Sequence, residues 1–354
     1  MTLSSLKILH VGDFFTSLKE RSPGLFSVGG KLSNGFIRNG HYVLNFSYRD
    51  VARHYGFFNS RLLGRKAMWH ALKKTVASFR PDVLILGHGY MIPPEIISEI
   101  RQVLPDMKAI QWNIDALFVE QNRLDVVARH EVVDASFVST GERHLYGLLG
   151  DTKIVGFLPN PVDLSVERGR NFESKHLPYD VFYSCGNPDR LREICGRYWQ
   201  MDEFCVMLEG RLPAETRFAY AGVRQQPYRS GYHYVELLEN SAIGLNISRR
   251  SDYALYSSDR LAHMIGNGQL VAIERAIGYD RFFSEDEMIF FSSVEELCDR
   301  IRYYIRNPEE LQKSAYKGWE HYSRLFNEVS VSDYMLRKTF GILKTDEYPW
   351  NFFY

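Results

Sequence analysis

The stretch FRPDVLILGHG, residues 79–89, decides the fold class. Arg80 and Pro81 stop an amphipathic helical pattern over residues 67–79, because proline lacks the N–H that a continuing helix needs and disfavours helix in the residue before it. Val83, Leu84, Ile85 and Leu86 follow without polar alternation, as in a strand buried on both faces. Gly87-His88-Gly89 then turns the chain. Helix, fully buried strand and glycine turn in that order make one repeat of a parallel α/β sheet.

The same alternation runs outward in both directions. Apolar runs at residues 6–11, 42–46, 108–112, 132–139 and 153–157 bring the first half to six strands. Residues 27–39 read as a helix that opens at the glycine-rich turn Gly29-Gly30, carries Leu32, Phe36 and Ile37 on one face and ends at Gly40. Pro94 starts another helix. Pro159 and Pro161 break regular structure, and residues 165–175 have no apolar periodicity, which marks a linker. A second series has strands at 179–184, 218–220, 243–247, 269–273 and 288–291, with a helix expected over 191–198. Helices over 293–306, with a Ser293/Glu296 capping box, and over 308–326 close it. The expected fold is α/β, with two tandem Rossmann-like domains facing across a cleft. They span residues 1–160 and 165–328, and a helix and aromatic tail at 329–354 pack back on the first.

Composition narrows the partners. The 354 residues are 45% hydrophobic and 24% charged, as in a folded globular protein. Lysine plus arginine equals aspartate plus glutamate at 43 each, so no net basic field is available to hold nucleic acid. No apolar stretch approaches the roughly 20 residues that span a bilayer. The opening residues read as a first strand and not as a signal peptide, so a cytoplasmic location is expected. At most peripheral contact with the inner face of the membrane is expected. The aromatic tail YPWNFFY, residues 348–354, is the candidate for it, and packing on the first domain would bury the same rings.

The four cysteines, Cys185, Cys195, Cys205 and Cys298, form no C-x-x-C pair and read as buried thiols. GxGxxG and GxxxxGK[ST] are both missing, which argues against a dinucleotide oxidoreductase and a P-loop enzyme. No Asp-x-Asp occurs either. Any diphosphate is therefore expected to meet arginines and a helix end, with no metal and no cofactor.

In doubly wound sheets ligands bind beyond the carboxyl ends of the strands, so the residues in those loops are the candidates. In the first half these are Asp13, Gly29, Gly30, His88 and Asp115. In the second they are Gly186, Asn187 and Arg190, then Ser248 and Arg249, then Tyr256, Ser257, Ser258 and Arg260. Ser257 or Ser258 would cap a helix through Leu261, Met264 and Ile265, leaving N–H groups for a diphosphate beside the Arg260 guanidinium. Asp259 would oppose an anion there. Asp13, Asp115 and His88 are candidate general bases, and each also has a reading as an ordinary capping or loop residue.

The segment SSDRLAHMIGNGQLVAIE, residues 257–274, resembles the pattern N-x-R-x-F-E-x-x-A-C-G-x-x-x-x-x-D of GT-B glycosyltransferases in the spore-maturation-protein-like (CgeB-like) group. The similarity extends through YDVFYSCGNPDRLREI (179–194), SAIGLNIS (241–248) and FFSSVEELCDRIRYYIRNPEELQKSAYKGWEHYSRLF (290–326). In the first half it is limited to LSNGFIRNGHYV (32–43) and FRPDVLILGHG (79–89). The resemblance implies a donor half at 165–328 and an acceptor half at 1–160. It implies Arg260 near the donor diphosphate, Gly268 and Gln269 at a turn whose amides approach the donor, and Gly186 and Asn187 facing the same phosphates. His263 stands where relatives carry a ribose-binding glutamate, so Glu274 at the end of the next strand would share that polar work. The implied activity is metal-independent transfer of a sugar from a nucleotide-sugar donor to a glycan, glycolipid or protein acceptor in bacterial surface polysaccharide, lipopolysaccharide or protein glycosylation. A nucleotide-sugar epimerase, another nucleotide-sugar enzyme or a non-catalytic nucleotide-sugar-binding protein are the alternatives.

Overall fold

Two parallel sheets organise the chain, each the core of its own compact unit. The structure is a computed structural model, and it describes residues 3–14, 26–150, 152–344 and 347–351. Unit 1 comprises Met1–Pro161 with Glu328–Tyr354, and unit 2 comprises Val162–Asn327.

Unit 1 runs β1 (Lys7–Gly12), α1 (Val28–Arg38), β2 (Tyr42–Ser47), α2 (Tyr48–Tyr55), α3 (Arg65–Phe79), β3 (Val83–Gly87), α4 (Pro94–Val103), β4 (Lys108–Asn113), α5 (Glu120–His130), β5 (Ala135–Val138), α6 (Glu142–Leu149) and β6 (Ile154–Phe157). Unit 2 runs β7 (Tyr179–Ser184), β8 (Arg192–Ile194), β9 (Arg197–Trp199), α7 (Met201–Arg211), β10 (Phe218–Ala221), α8 (Tyr232–Glu239), β11 (Ser241–Asn246), α9 (Arg260–Gly266), β12 (Leu270–Glu274), β13 (Ile289–Phe291), α10 (Val294–Arg306) and α11 (Pro308–Leu325). The last helix, α12 (Glu328–Thr339), belongs to unit 1.

Strand order is β2-β1-β3-β4-β5-β6 in unit 1 and β10-β7-β11-β12-β13 in unit 2, and every pair is parallel. The apolar runs are the reason. All five residues of β3 and all five of β12 are buried, and a fully buried Leu or Ile contributes about 1.5–3 kcal/mol over its exposed state. A strand covered on both faces needs helices on both sides, and the crossovers supply them.

One expected helix is absent. Residues 191–198 contain Leu191, Ile194, Cys195 and Tyr198 at helical spacing, yet they form the antiparallel hairpin β8–β9, with Ile194 opposite Arg197. Cys195 and Gly196 both take positive φ, 50° and 76°, in the two-residue loop, the geometry of a type I′ hairpin turn. The glycine overrides the spacing. The Ser293 cap is present, with Ser293 Oγ accepting from Glu296 N at 3.0 Å, while Glu296 returns a bond to the Ser292 N–H. In unit 1, α12 lies against α1. Asn39 Nδ2 donates to Val329 O and to Ser332 Oγ, both at 2.9 Å, and Arg38 pairs with Glu328. Tyr348 and Trp350 of the tail are buried against Tyr334, and residues 352–354 lie outside the described residues.

The centre of unit 1 carries a polar network that apolar patterning does not reveal. His10, fully buried in β1, accepts the Trp112 indole N–H on Nε2 at 2.9 Å, and its Nδ1 lies 2.8 Å from Ser33 Oγ. Ser33 Oγ donates to Asn45 Oδ1 at 2.8 Å, so the imidazole is neutral with its proton on Nδ1. Burial lowers the His10 pKa from 6.5 to about 3. The unfolded chain binds the proton near pH 6.5 and the folded chain only near 3, so stability falls as pH drops through that window. Chemical denaturation of wild type should show this loss, at up to about 1.4 kcal/mol per pH unit from this residue. His10→Gln should remove that slope at a cost of about 1–3 kcal/mol at neutral pH from disturbed partners.

Candidate functional site

Unit 2 winds outward from β7 in both directions, so its topological switch point lies between β7 and β11, where crossovers leave to opposite faces. Beyond the carboxyl ends of these strands stand the loops that begin at Cys185 and Ile247. The β8–β9 hairpin holds them together. Arg192 of β8, buried, donates to Ile247 O at 3.0 Å and to Cys185 Sγ at 3.1 Å, and Glu193 N donates to Arg249 O at 3.0 Å.

Arginines crowd this end of the sheet. Arg260, the first residue of α9, reaches the same Ile247 carbonyl at 3.5 Å, and its Nε has no hydrogen-bond partner among the described residues. Arg249 has its pKa held below the ordinary arginine range, first by burial and then by Arg190 and Arg192, with Tyr256 acting in the opposite sense. Like charges this close raise each other's cost, and an anion placed among them would relieve it. None of Arg190, Arg192 and Arg260 forms a salt bridge with an acidic side chain among the described residues. Ser248 Oγ and Asn246 Oδ1, both buried, have no hydrogen-bond partner there either. Gly186 and Asn187 lie exposed beside them, with Tyr228 next to Gly186. Arg250 is occupied by a two-bond pair with Asp252.

Glu274, at the carboxyl end of β12, accepts from Cys195 N at 3.2 Å. Burial raises its pKa, with the bonds from Cys195 and Ser251 opposing. A cavity of about 10 Å³, the size of one water, separates it from Asn246 and Ser248.

In unit 1 the switch point lies between β1 and β3, and Asp13 and His88 follow those two strands. His88 has φ +57°, an uncommon backbone for a non-glycine residue, and its Nδ1 is 3.2 Å from Asp115 Oδ2. Tyr90 OH also donates to that carboxylate, and Asn113 Oδ1 accepts the Asp115 N–H at 2.7 Å. Burial opposes the Asp115 charge, but the His88 and Tyr90 interactions outweigh it and lower the pKa. Asp13 instead forms a salt bridge with Arg49 at 2.7 Å. Gly29 and Gly30 are the second and third residues of α1 and not a turn before it. Ser27 Oγ caps the helix weakly, 3.4 Å from Gly30 N.

Against solved structures, the chain is similar along almost its whole length to HepE from Anabaena in complex with UDP and glucose. The TM-score is 0.58 at 11% identity, covering 96% of this chain and 100% of that one. It is also similar to sucrose-phosphate synthase from Thermosynechococcus elongatus, with TM-score 0.61, 11% identity and 95% and 100% coverage. The glycosyltransferase AviGT4 of avilamycin A biosynthesis gives TM-score 0.55 at 14% identity, over 95% and 98%. The fold is GT-B. Residues 187–336 match the model of a family described as glycosyl transferase-like. No sequence among the curated proteins matches the chain.

Within this GT-B chain the structure gathers Gly186, Asn187, Arg190, Ser248, Arg249, Arg260 and Glu274 at the carboxyl edge of the second sheet. Other expected residues are engaged within the protein. Ser258 Oγ accepts from Arg260 N, the first amide of α9, at 3.5 Å and donates to Asp259 at 3.2 Å, whereas Ser257 Oγ pairs with Tyr279 OH at 3.1 Å and Asp259 stands at the N-cap without a side-chain bond. His263 is buried, its Nδ1 3.3 Å from Tyr234 OH, with the two rings edge to face.

Gly268 and Gln269 precede β12 and so lie at the amino edge of the sheet, a strand length from Glu274. Their amides close the end of α9, Gly268 N to Ile265 O at 3.0 Å and Gln269 N to Met264 O at 3.1 Å, and Gln269 Nε2 donates to Leu238 O. Sequence spacing could not show that the strand runs between them and the site. Arg192 was missed because its segment reads as helix.

Among the described residues no group of three or more His, Cys, Asp or Glu side chains is arranged to hold a metal ion. No helix among them is long and apolar enough to cross a membrane. A Cβ on Gly268, at φ +84°, would come within 2.8 Å of Asn171 N. Gly268→Ala should therefore lower the melting temperature in thermal denaturation, at a cost of about 1–3 kcal/mol.

Proposed function

We propose that the chain is a glycosyltransferase that uses a nucleotide-sugar donor and binds the donor diphosphate at the carboxyl ends of β7 and β11. The observation that carries this is the concentration of Arg190, Arg192, Arg249 and Arg260 at the switch point, with Arg260 Nε unpartnered. A diphosphate leaving group gains negative charge as the bond to the anomeric carbon breaks. Fixed guanidinium groups stabilise that charge without reorganising. In this reading they replace a divalent metal, and no cofactor takes part. The match of residues 187–336 to a glycosyl transferase-like family supports the nucleotide-sugar transferase reading, as do the UDP complexes of HepE.

Unit 1 supplies the base in this proposal. As a sugar hydroxyl attacks, it must lose its proton, and His88 can take it on Nε2 while Asp115 orients the ring and stabilises the imidazolium from the Nδ1 side. Asp13 is the weaker candidate because Arg49 already neutralises it. The CgeB-like resemblance supports an acceptor among surface polysaccharide, lipopolysaccharide or glycoprotein hydroxyls, and the nucleotide and sugar are to be found by screening.

Two variants test the division of labour. Arg260→Ala should weaken nucleoside diphosphate binding at least tenfold by calorimetry, and Arg260→Lys should not restore it, because a point charge cannot make the paired contact. Asp115→Asn should leave nucleotide binding intact but lower kcat by about 10²–10⁴. Undiminished donor turnover in Arg260→Ala would sink the diphosphate site.

A further inference from the structure

The loop between α2 and α3 in unit 1 holds the three most exposed large apolar side chains of the described residues, Phe58, Leu62 and Phe57. Phe58 is 91% exposed, Leu62 76%, Phe57 75% and Leu63 67%, with Tyr55 beside them. The two phenylalanines alone present on the order of 300 Å² of ring surface. Isolated exposed apolar residues are ordinary, but four within seven positions form a patch of the size that marks an interaction surface.

The loop is built and not slack. Asn59 N bonds Gly56 O at 3.0 Å, Ser60 N bonds Phe57 O at 3.1 Å, and Gly64 N bonds Ser60 O at 3.1 Å. A Cβ at Gly64 would come within 1.8 Å of Ala52 O, so the loop is seated tightly on α2. Phe58 and Asn59 hold positive φ, 52° and 57°. Nothing in that geometry folds the rings inward.

Charge identifies the partner. Residues 51–81 contain Arg53, Arg61, Arg65, Lys66, Lys73, Lys74 and Arg80 and no aspartate or glutamate, in a chain whose net charge is zero; Arg53 pairs with Asp50 and Lys73 with Glu99, and the proposal rests on the others. Arg61, Arg65 and Lys66 are exposed directly beside the leucines and the second helix start. An apolar tip rimmed by lysine and arginine matches a bilayer with anionic headgroups: rings and aliphatic chains enter the acyl boundary while the cations meet phosphate. Nucleic acid would gain from the rings and cations, but Leu62 and Leu63 would have no base to stack on.

We propose that this loop docks the protein peripherally on an anionic lipid surface, a role independent of the donor site and of the transferase reading. Of the aromatic tail, Tyr348 and Trp350 are buried and offer no such surface.

Vesicle co-sedimentation of the full chain, with no donor present, tests it. Wild type should bind vesicles of three parts phosphatidylcholine to one part phosphatidylglycerol at least tenfold more tightly than pure phosphatidylcholine, and added salt should weaken that binding. Phe57→Ser with Phe58→Ser should reduce it at least tenfold, and Arg61→Ala with Lys66→Ala by about twenty-fivefold, since each cation near such a surface contributes about fivefold. Both variants should keep the wild-type melting temperature and nucleotide affinity. Failure of wild type to bind the anionic vesicles overturns the proposal, as does binding that survives both double substitutions. So does a wild type that ignores vesicles yet binds transfer RNA through the same cations.

Discussion

Strands buried on both faces keep charged side chains off their length, and the placement of the candidate site residues in each unit follows from that constraint. β3 and β12 have no exposed residue, so charged side chains can reach solvent only beyond strand ends. Parallel order then puts all carboxyl ends on one edge, and the crossovers open a crevice where their direction reverses. Polar side chains stand at that place in both units. In unit 1 it carries Asp13 and His88, and in unit 2 it carries the arginines.

The two edges of the second sheet divide the work. At the carboxyl edge polar atoms lack partners: Arg260 Nε, Ser248 Oγ and Asn246 Oδ1. At the amino edge the groups near Gly268 bond within the protein, with Asn171 Nδ2 donating to Leu238 O and Ser241 O, and Asn267 Nδ2 to His263 O. An unpartnered acceptor, Gln269 Oε1, remains at the amino edge as well, so what separates the two edges is charge: the guanidinium groups stand at the carboxyl edge.

Arg192 shows how local chemistry can override pattern. Its segment has apolar residues at helical spacing, but Gly196 permits two consecutive positive φ angles, and the resulting hairpin carries a guanidinium into the gap between the ends of β7 and β11. A helix there would have presented Arg192 differently and left the Ile247 carbonyl to Arg260 alone.

The sequence by itself determined the α/β class, the βα alternation, most element positions and the carboxyl-edge loops, because buried runs and Gly or Pro breaks are local signals. It also pointed to Arg260, Ser248 and Gly186, which stand together at the carboxyl edge of the second sheet, since strand ends are legible once strands are. Tertiary structure alone decided that His88 pairs with Asp115 while Asp13 pairs with Arg49, and that Gly268 and Gln269 stand at the opposite edge from Arg260. It alone buried the tail's Tyr348 and Trp350 and exposed Phe57 and Phe58. These outcomes depend on which residues meet across tens of positions of chain, and spacing along one sequence carries no record of distance through space.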